Sequence, residues 1–404
     1  MTAEVTVMNT QGIAIAADSA ITIPIDNENS KTYYTSQKIF SLSSKHSVGI
    51  MIYSNASFMD IDWEILITEF NKALGERVFD TLEEYAKYLL TFLKDFVHIT
   101  DDLQKDYLEV ISEGFFTVIK ERYDTEVSEN YKNQKISQAQ QGKILEGVLK
   151  KVGEQLEKDT YSTGFDDYEF VKTNQTIVTE TMDSVFSDFN IKDKMKEEMI
   201  DLLLQDIVKA GISDYFWNSI SGLVFAGYGD KEIYPSAIDI TLFGRLGKNV
   251  LCSTMRKAEI QESRAWIIPY AQHDVINTFI RGMDPDFKDM IFEELEGLIK
   301  AVTGIAGKKN AEKINKLKDE YIKKIEDSTE EYYKGPIMRI VSSLPKSDLA
   351  EMAEALVNLT ALRRHVSTDR ETVGGPTDVA VITKMDGFVW IKKKQTIQST
   401  LNTK

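Results

Sequence analysis

The sequence predicts an α+β fold in which strands from both ends of the chain share one sheet. Strand-like and helix-like stretches are segregated into blocks (strands, helices, strands, helices, strands) and do not alternate as βαβ units. The opening residues read as a hairpin. The final strands have no partner among their neighbours in sequence, so they are expected to return to the first sheet. Two helical blocks, 57–215 and 283–335, read as insertions into a single domain spanning 1–404.

The elements follow in order. Val5 and Val7, then Ile13 and Ile15 with Ala14, Ala16 and Ala17, flank Asn9-Thr10-Gln11-Gly12, a turn between β-rich segments. Strands are expected at 38–42 and 48–53. Beyond Ile61 the apolar spacing changes to three and four, as in Tyr85, Leu89, Phe92, Leu93 and Phe96, and Thr81-Leu82-Glu83-Glu84 is a capping box. Further helices are expected at 103–122, 137–156 and 193–208, with a loop at 159–167. Strands return at 221–227, 237–243 and 249–254, with 244–247 as a turn. Residues 273–334 read as charged helix. An amphipathic helix at 349–364 precedes strands at 378–383 and 388–392, joined by Met385-Asp386-Gly387.

Composition narrows the function. With 64 acidic against 48 basic residues the formal charge is −16, which speaks against a nucleic-acid binder, whose phosphates need a positive footprint, and against docking on anionic membranes. The lone Cys252 precludes a disulfide within the chain and fits a reducing cytoplasm. The first residues lack the features of a secretory signal, and no run of apolar residues is long enough to cross a bilayer. His46, His98, His273 and His365 share no metal-ligand spacing, so no metal is expected. Thr303-Gly304-Ile305-Ala306-Gly307-Lys308-Lys309 has the wrong glycine spacing for a phosphate loop and no Ser or Thr after the lysine. It reads as a helix C-cap, and no cofactor is implied.

Four stretches occur in a telling order. They are Gly12-Ile13-Ala14-Ile15-Ala16-Ala17-Asp18-Ser19; Ser36-Gln37-Lys38-Ile39-Phe40 followed by Val48-Gly49-Ile50-Met51-Ile52; Gly222-Leu223-Val224-Phe225-Ala226-Gly227; and Gly374-Gly375-Pro376 with Asp378-Val379-Ala380-Val381-Ile382. Together they resemble proteasome β subunits and bacterial proteasome-like peptidases, a family of N-terminal-nucleophile (Ntn) hydrolases. The resemblance covers about half the chain. It implies a four-layer αββα sandwich carrying the long helical insertions, peptides or proteins as substrate, and a homo-oligomeric working form.

It also implies a site. In the family the nucleophile lies sixteen residues before the aspartate that corresponds to Asp18, which puts Thr2 in that role once Met1 is removed. A threonine hydroxyl needs an adjacent base. The α-amine of the same residue, with an ordinary pKa of about 7.7–8.0, can accept the proton near neutrality. Lys38 would depress the amine pKa, Asp18 would pair with and orient Lys38, and backbone N–H groups at Tyr53 and Ser54 would form the oxyanion hole. Supporting roles fall to Ser19, to Gln272 in place of the family's serine, and to Asp369 and Thr372, which partly mirror an Asp-x-x-Ser pair. The alternative is a catalytically inactive scaffold or regulatory binding protein whose helical insertions hold a partner. The sequence names neither a substrate nor an ATPase partner.

Overall fold

The computed structural model describes residues 2–24, 30–42, 45–131, 136–159, 161–166, 168–210, 220–260, 264–306, 308–367 and 373–394. The chain opens with the hairpin β1 (Ala3–Asn9) and β2 (Gly12–Ala17), then a second hairpin, β3 (Ile21–Pro24) and β4 (Ser30–Tyr33). Next come β5 (Ile39–Ser41), β6 (Val48–Ser54), and the short pair β7 (Ser57–Phe58) and β8 (Ile61–Asp62). Seven helices follow: α1 (Trp63–Leu74), α2 (Leu82–Asp95), α3 (Asp101–Asn130), α4 (Gln138–Lys158), α5 (Glu169–Thr173), α6 (Gln175–Val185) and α7 (Asp193–Lys209). Strands resume as β9 (Ser221–Gly227), β10 (Ser236–Leu246), β11 (Asn249–Cys252), β12 (Arg256–Glu259) and β13 (Ala265–Ala271). Helices α8 (Asp274–Arg281), α9 (Pro285–Ala306), α10 (Lys308–Thr329), α11 (Gly335–Val341) and α12 (Lys346–His365) lead to the closing strands β14 (Asp378–Thr383) and β15 (Gly387–Lys392).

This is a mixed α/β fold with antiparallel sheets. The first sheet runs β13-β1-β2-β14-β15, so the last strands do return to the opening hairpin, with Ile382 opposite Ile13 and Asp378 opposite Ala17. The second runs β11-β10-β9-β6-β5, with β12 also pairing β10. Strand alternation divides the core. Ala3, Val5, Val7, Ala14 and Ala16 face helices α8 and α12, where Ile276, Leu349, Ala353 and Val357 cover them. Met8, Ile13, Ile15 and Ile382 face the other way and pack on Met51, Val224 and Ala226 of the second sheet. The far side of that sheet, with Ile50, Ile52, Leu223 and Phe225, is covered by Trp63, Phe70, Tyr85 and Leu89 of α1 and α2. Each buried aliphatic side chain contributes about 1.5–3 kcal/mol to this packing.

Helix α2 begins at the expected capping box, with Thr81 and Glu84 satisfying each other's backbone N–H groups. Beyond its C-terminus Arg245, buried on β10, donates to the carbonyls of Leu93, Phe96 and Ile99 at 3.0 Å each. The guanidinium thereby ties β10 to the turn that follows the helix. Helices α3, α4, α6 and α7 form a bundle around Phe115, Phe116, Leu149, Met182 and Leu203, and this bundle leans on Phe243 and Leu251 of the second sheet.

Several elements differ from expectation. Strand β10 runs through Gly244 to Leu246, whereas a turn was expected from Gly244 on. The reason is packing: a Cβ on Gly244 would meet the Tyr107 ring at 2.4 Å, so the glycine serves a close approach and not a reversal. The hairpin of β3 and β4, and strands β12 and β13, have no counterpart in the sequence reading. Strand β13 contains Pro269 opposite Val5, which is tolerable because β13 is an edge of its sheet and needs no donor on its outer side.

Candidate functional site

The candidate site lies where the two sheets open at the start of β1. Thr2 and Glu4 are two residues apart, so the pleat sends both side chains to the face turned toward the second sheet. Asp18 follows β2. Lys38 precedes β5 in the opposite sheet, its carbonyl accepting from Ile52 N–H at 2.9 Å, and reaches across the gap. Its ammonium is ion-paired with Asp18 Oδ1 and lies 3.3 Å from Glu4 Oε1. Asp18 is a hub. Its Oδ1 also accepts from Ala3 N–H at 3.2 Å and its Oδ2 from Gly374 N–H at 2.9 Å. Thr2, Asp18 and Lys38 are 5%, 2% and 4% exposed and Glu4 is fully buried, so the charges are taken out of water together.

On the far side of Thr2, Ser54 ends β6 in the left-handed region at φ +67°, and its N–H donates to Thr2 Oγ1 at 3.5 Å. A left-handed non-glycine residue is uncommon and here aims a backbone donor into the site. The preceding Tyr53 carries its ring across β9 to β10, donating its hydroxyl to Asp239 at 2.7 Å and stacking on Tyr270 at 5.5 Å. The path runs over Gly222, where a Cβ would stand 1.9 Å from the ring. Burial, then the neighbouring Asp239 charge, push the Tyr53 hydroxyl well above its usual pKa, so it stays a donor. A cleft of about 360 Å³ opens beside Thr2, lined by Ala20, Thr22, Ser36, Ile52 and Ala56 among others.

Glu4 was not foreseen from the sequence. Burial pushes its carboxyl up to about 7; Lys38 counteracts this, and the Asp18 charge adds to it. A group held protonated by the fold stabilises it fully below the unfolded pKa and loses that contribution as pH rises through the folded one. Glu4→Gln should therefore flatten the wild-type decline in stability between about pH 5 and about pH 8, a difference on the order of 2–3 kcal/mol. Parallel unfolding curves for the two proteins across that range would refute this.

The other expected residues are placed as follows. Ser19 Oγ donates to Pro376 O at 2.7 Å, and Gly375 at φ +78° leaves room for that hydroxyl. This joins Ser19 to the 374–376 turn at the site's edge. Gln272 is buried and accepts from Arg364 Nε at 2.7 Å, which ties it to α12. Met1, Asp369 and Thr372 lie outside the described residues, as does Gly307 in the phosphate-loop lookalike. Among the described residues no cluster of three or more His, Cys, Asp or Glu side chains could hold a metal ion, and no helix is long and apolar enough to cross a membrane.

No family model matches the chain, and no curated protein matches it either. A solved structure, the Anbu (Gly-1) mutant from Hyphomicrobium sp. strain MC1, aligns over 98% of this chain and 86% of that one, at 9% identity and a TM-score of 0.32. A likeness that loose bears on neither the fold nor the chemistry. The resemblance to proteasome β subunits therefore does not extend to family membership, and that expectation is corrected. The quoted stretches are buried strands of small and β-branched residues with a glycine at a close approach. Any tightly packed antiparallel sheet asks for the same residues.

Proposed function

We propose that the protein is a hydrolase of amide bonds in peptides or proteins, with Thr2 Oγ1 as nucleophile once Met1 is removed. The observation that carries this is the convergence of three groups from three strand ends on one threonine: the Lys38–Asp18 pair beside it and the Ser54 N–H on its hydroxyl. In this reading the α-amine of Thr2 takes the hydroxyl proton as Oγ1 bonds to the acyl carbon. The Lys38 charge keeps that amine neutral, and Asp18 holds Lys38 in place. The Ser54 N–H stabilises the oxyanion, whereas Tyr53, expected to share that role, pairs with Gly222 and turns its N–H toward β9; the proton passes to the leaving amine. Water then releases the acyl group by the reverse transfers.

The same reading treats the two sheets, with α8 and α12 on one side and α1 and α2 on the other, as an αββα sandwich of the N-terminal-nucleophile type. The bundle α3–α7 and the pair α9–α10 are then additions to a single unit. The test is covalent capture by an electrophilic β-lactone, followed by intact mass, for wild type and Thr2→Ala. Thr2→Ala is expected to lose capture altogether. Equal capture of both proteins would remove Thr2 from the chemistry and favour a non-enzymatic scaffold.

A further inference from the structure

Glu4 is a carboxyl that the threonine–lysine–aspartate arrangement does not use. Its cross-strand neighbours are Ala17, which offers no polar side chain, and Tyr270, whose ring stacks on Tyr53. Neither Glu4 oxygen makes a well-formed hydrogen bond to a described residue. The charged groups facing it are Lys38 from the head of β5 and Asp18 from the end of β2, and Thr2 precedes it by two residues on the same side of the chain. Lys38 is already neutralised by Asp18, so the cluster holds one carboxyl more than its cation matches. A fully buried, unmatched carboxyl opposes folding, and an apolar residue would serve packing better. It stands two residues from Thr2 on the same face of the same strand, beside the hydroxyl that must lose a proton.

We propose that Glu4 is a second general base for Thr2, able to activate Oγ1 whether or not the α-amine is free. Its carboxylate takes the Oγ1 proton as Oγ1 bonds to the acyl carbon, and gives that proton to the departing nitrogen as the C–N bond breaks. In the second half Glu4 takes a proton from water as the water oxygen bonds to the acyl carbon, and returns it to Oγ1 as the ester C–O bond breaks. The proposal rests on Thr2 being the nucleophile, and it removes the requirement that Met1 be cleaved first.

The experiment is the rate of β-lactone modification at Thr2, followed by intact mass and peptide mapping from acid to alkaline pH. Four proteins are compared: wild type, Glu4→Gln, Thr2→Ala, and the unmutated chain produced with its initiator methionine retained. With the lactone, Oγ1 forms the ester while the ring C–O bond breaks and its alkoxide takes the proton that Glu4 carries. Glu4→Gln is expected to slow modification about 10²-fold and to lose the rise in rate near neutral pH. The methionine-retained chain is expected to be modified at Thr2 within about tenfold of the processed one, since its base is intact. Because that chain alters no side chain of the site, its result does not depend on how well Glu4→Gln folds. A Glu4→Gln rate within about twofold of wild type, with the same pH profile, would overturn the proposal and leave Thr2 as nucleophile. So would a methionine-retained chain that stays unmodified while the processed one reacts, since the base would then be the amine. Equal modification of wild type and Thr2→Ala would sink both readings at once.

Discussion

Replacing Lys38 by methionine should destabilise the protein by about 3–5 kcal/mol and abolish modification of Thr2. The substitution keeps the length and apolar volume of the stem and removes only the charge. Two buried carboxyls then face each other without a cation. Asp18 keeps its donors from Ala3 and Gly374, whereas Glu4 keeps no well-formed hydrogen bond. The nearby Lys394 ammonium does not substitute, because it is engaged with Asp378 at 3.4 Å and with the Ser36 carbonyl. Without the Lys38 charge that opposes it, burial raises the Glu4 carboxyl further, so the loss should be smallest at acid pH, where Glu4 is neutral, and should grow toward alkaline pH. Chemical denaturation at three or four pH values checks this. A deficit that does not change with pH would mean that Lys38 contributes through packing and not as the counter-charge of the site.

Gly222→Ala should cost about 3 kcal/mol or more, a large effect for one methyl group. The added Cβ would lie 1.9 Å from Tyr53 Cζ, so the ring must leave its place across β9. The displaced hydroxyl gives up Asp239, and the ring gives up its stack on Tyr270. Because Tyr53 pairs with Gly222 and Ser54 with Ser221, the disturbance reaches the N–H that points at Thr2, and modification of Thr2 should slow as well. The double variant Gly222→Ala/Tyr53→Ala separates the causes. If the clash dominates, the second substitution relieves part of the first and the two effects fall short of their sum. Strict additivity would show that the glycine matters for some other reason.

The hairpin at 9–12, strands β9 and β14 and the capping box of α2 were legible because each is a local signal: alternation, a turn tetrapeptide, a Thr–Glu spacing. Strand β13 was not, because Pro269 argues against a strand unless one knows that it lies at an edge. Asp18 and Lys38 were reached through the order of motifs, and they do meet. Glu4 was passed over for a physical reason. In Ala3-Glu4-Val5-Thr6-Val7 the alternation of apolar and polar residues does not say that both faces are covered, and only the second sheet buries Glu4 and Thr6. The signal available was its place two residues after Thr2, on the same side of the pleat. Gly222 was read as part of a motif, but its partner, a tyrosine from another strand, is not visible in one dimension.

The pairing of β1 with β13 and of β2 with β14 has a consequence in time. The second sheet draws on residues 39–252 along its main path, so it can assemble once that length of chain has emerged. The first sheet cannot, because Met8, Ile13 and Ile15 wait for partners near residues 266 and 382. At a synthesis rate of about 5–20 residues per second, the opening hairpin is left without its outer strands for roughly 20 s or more. During that interval its edges and apolar face invite pairing with other chains. Closure of the first sheet also completes the surroundings of Thr2, since Gly374 reaches Asp18 only then. The groups around the threonine therefore come together only after residue 374 has been made.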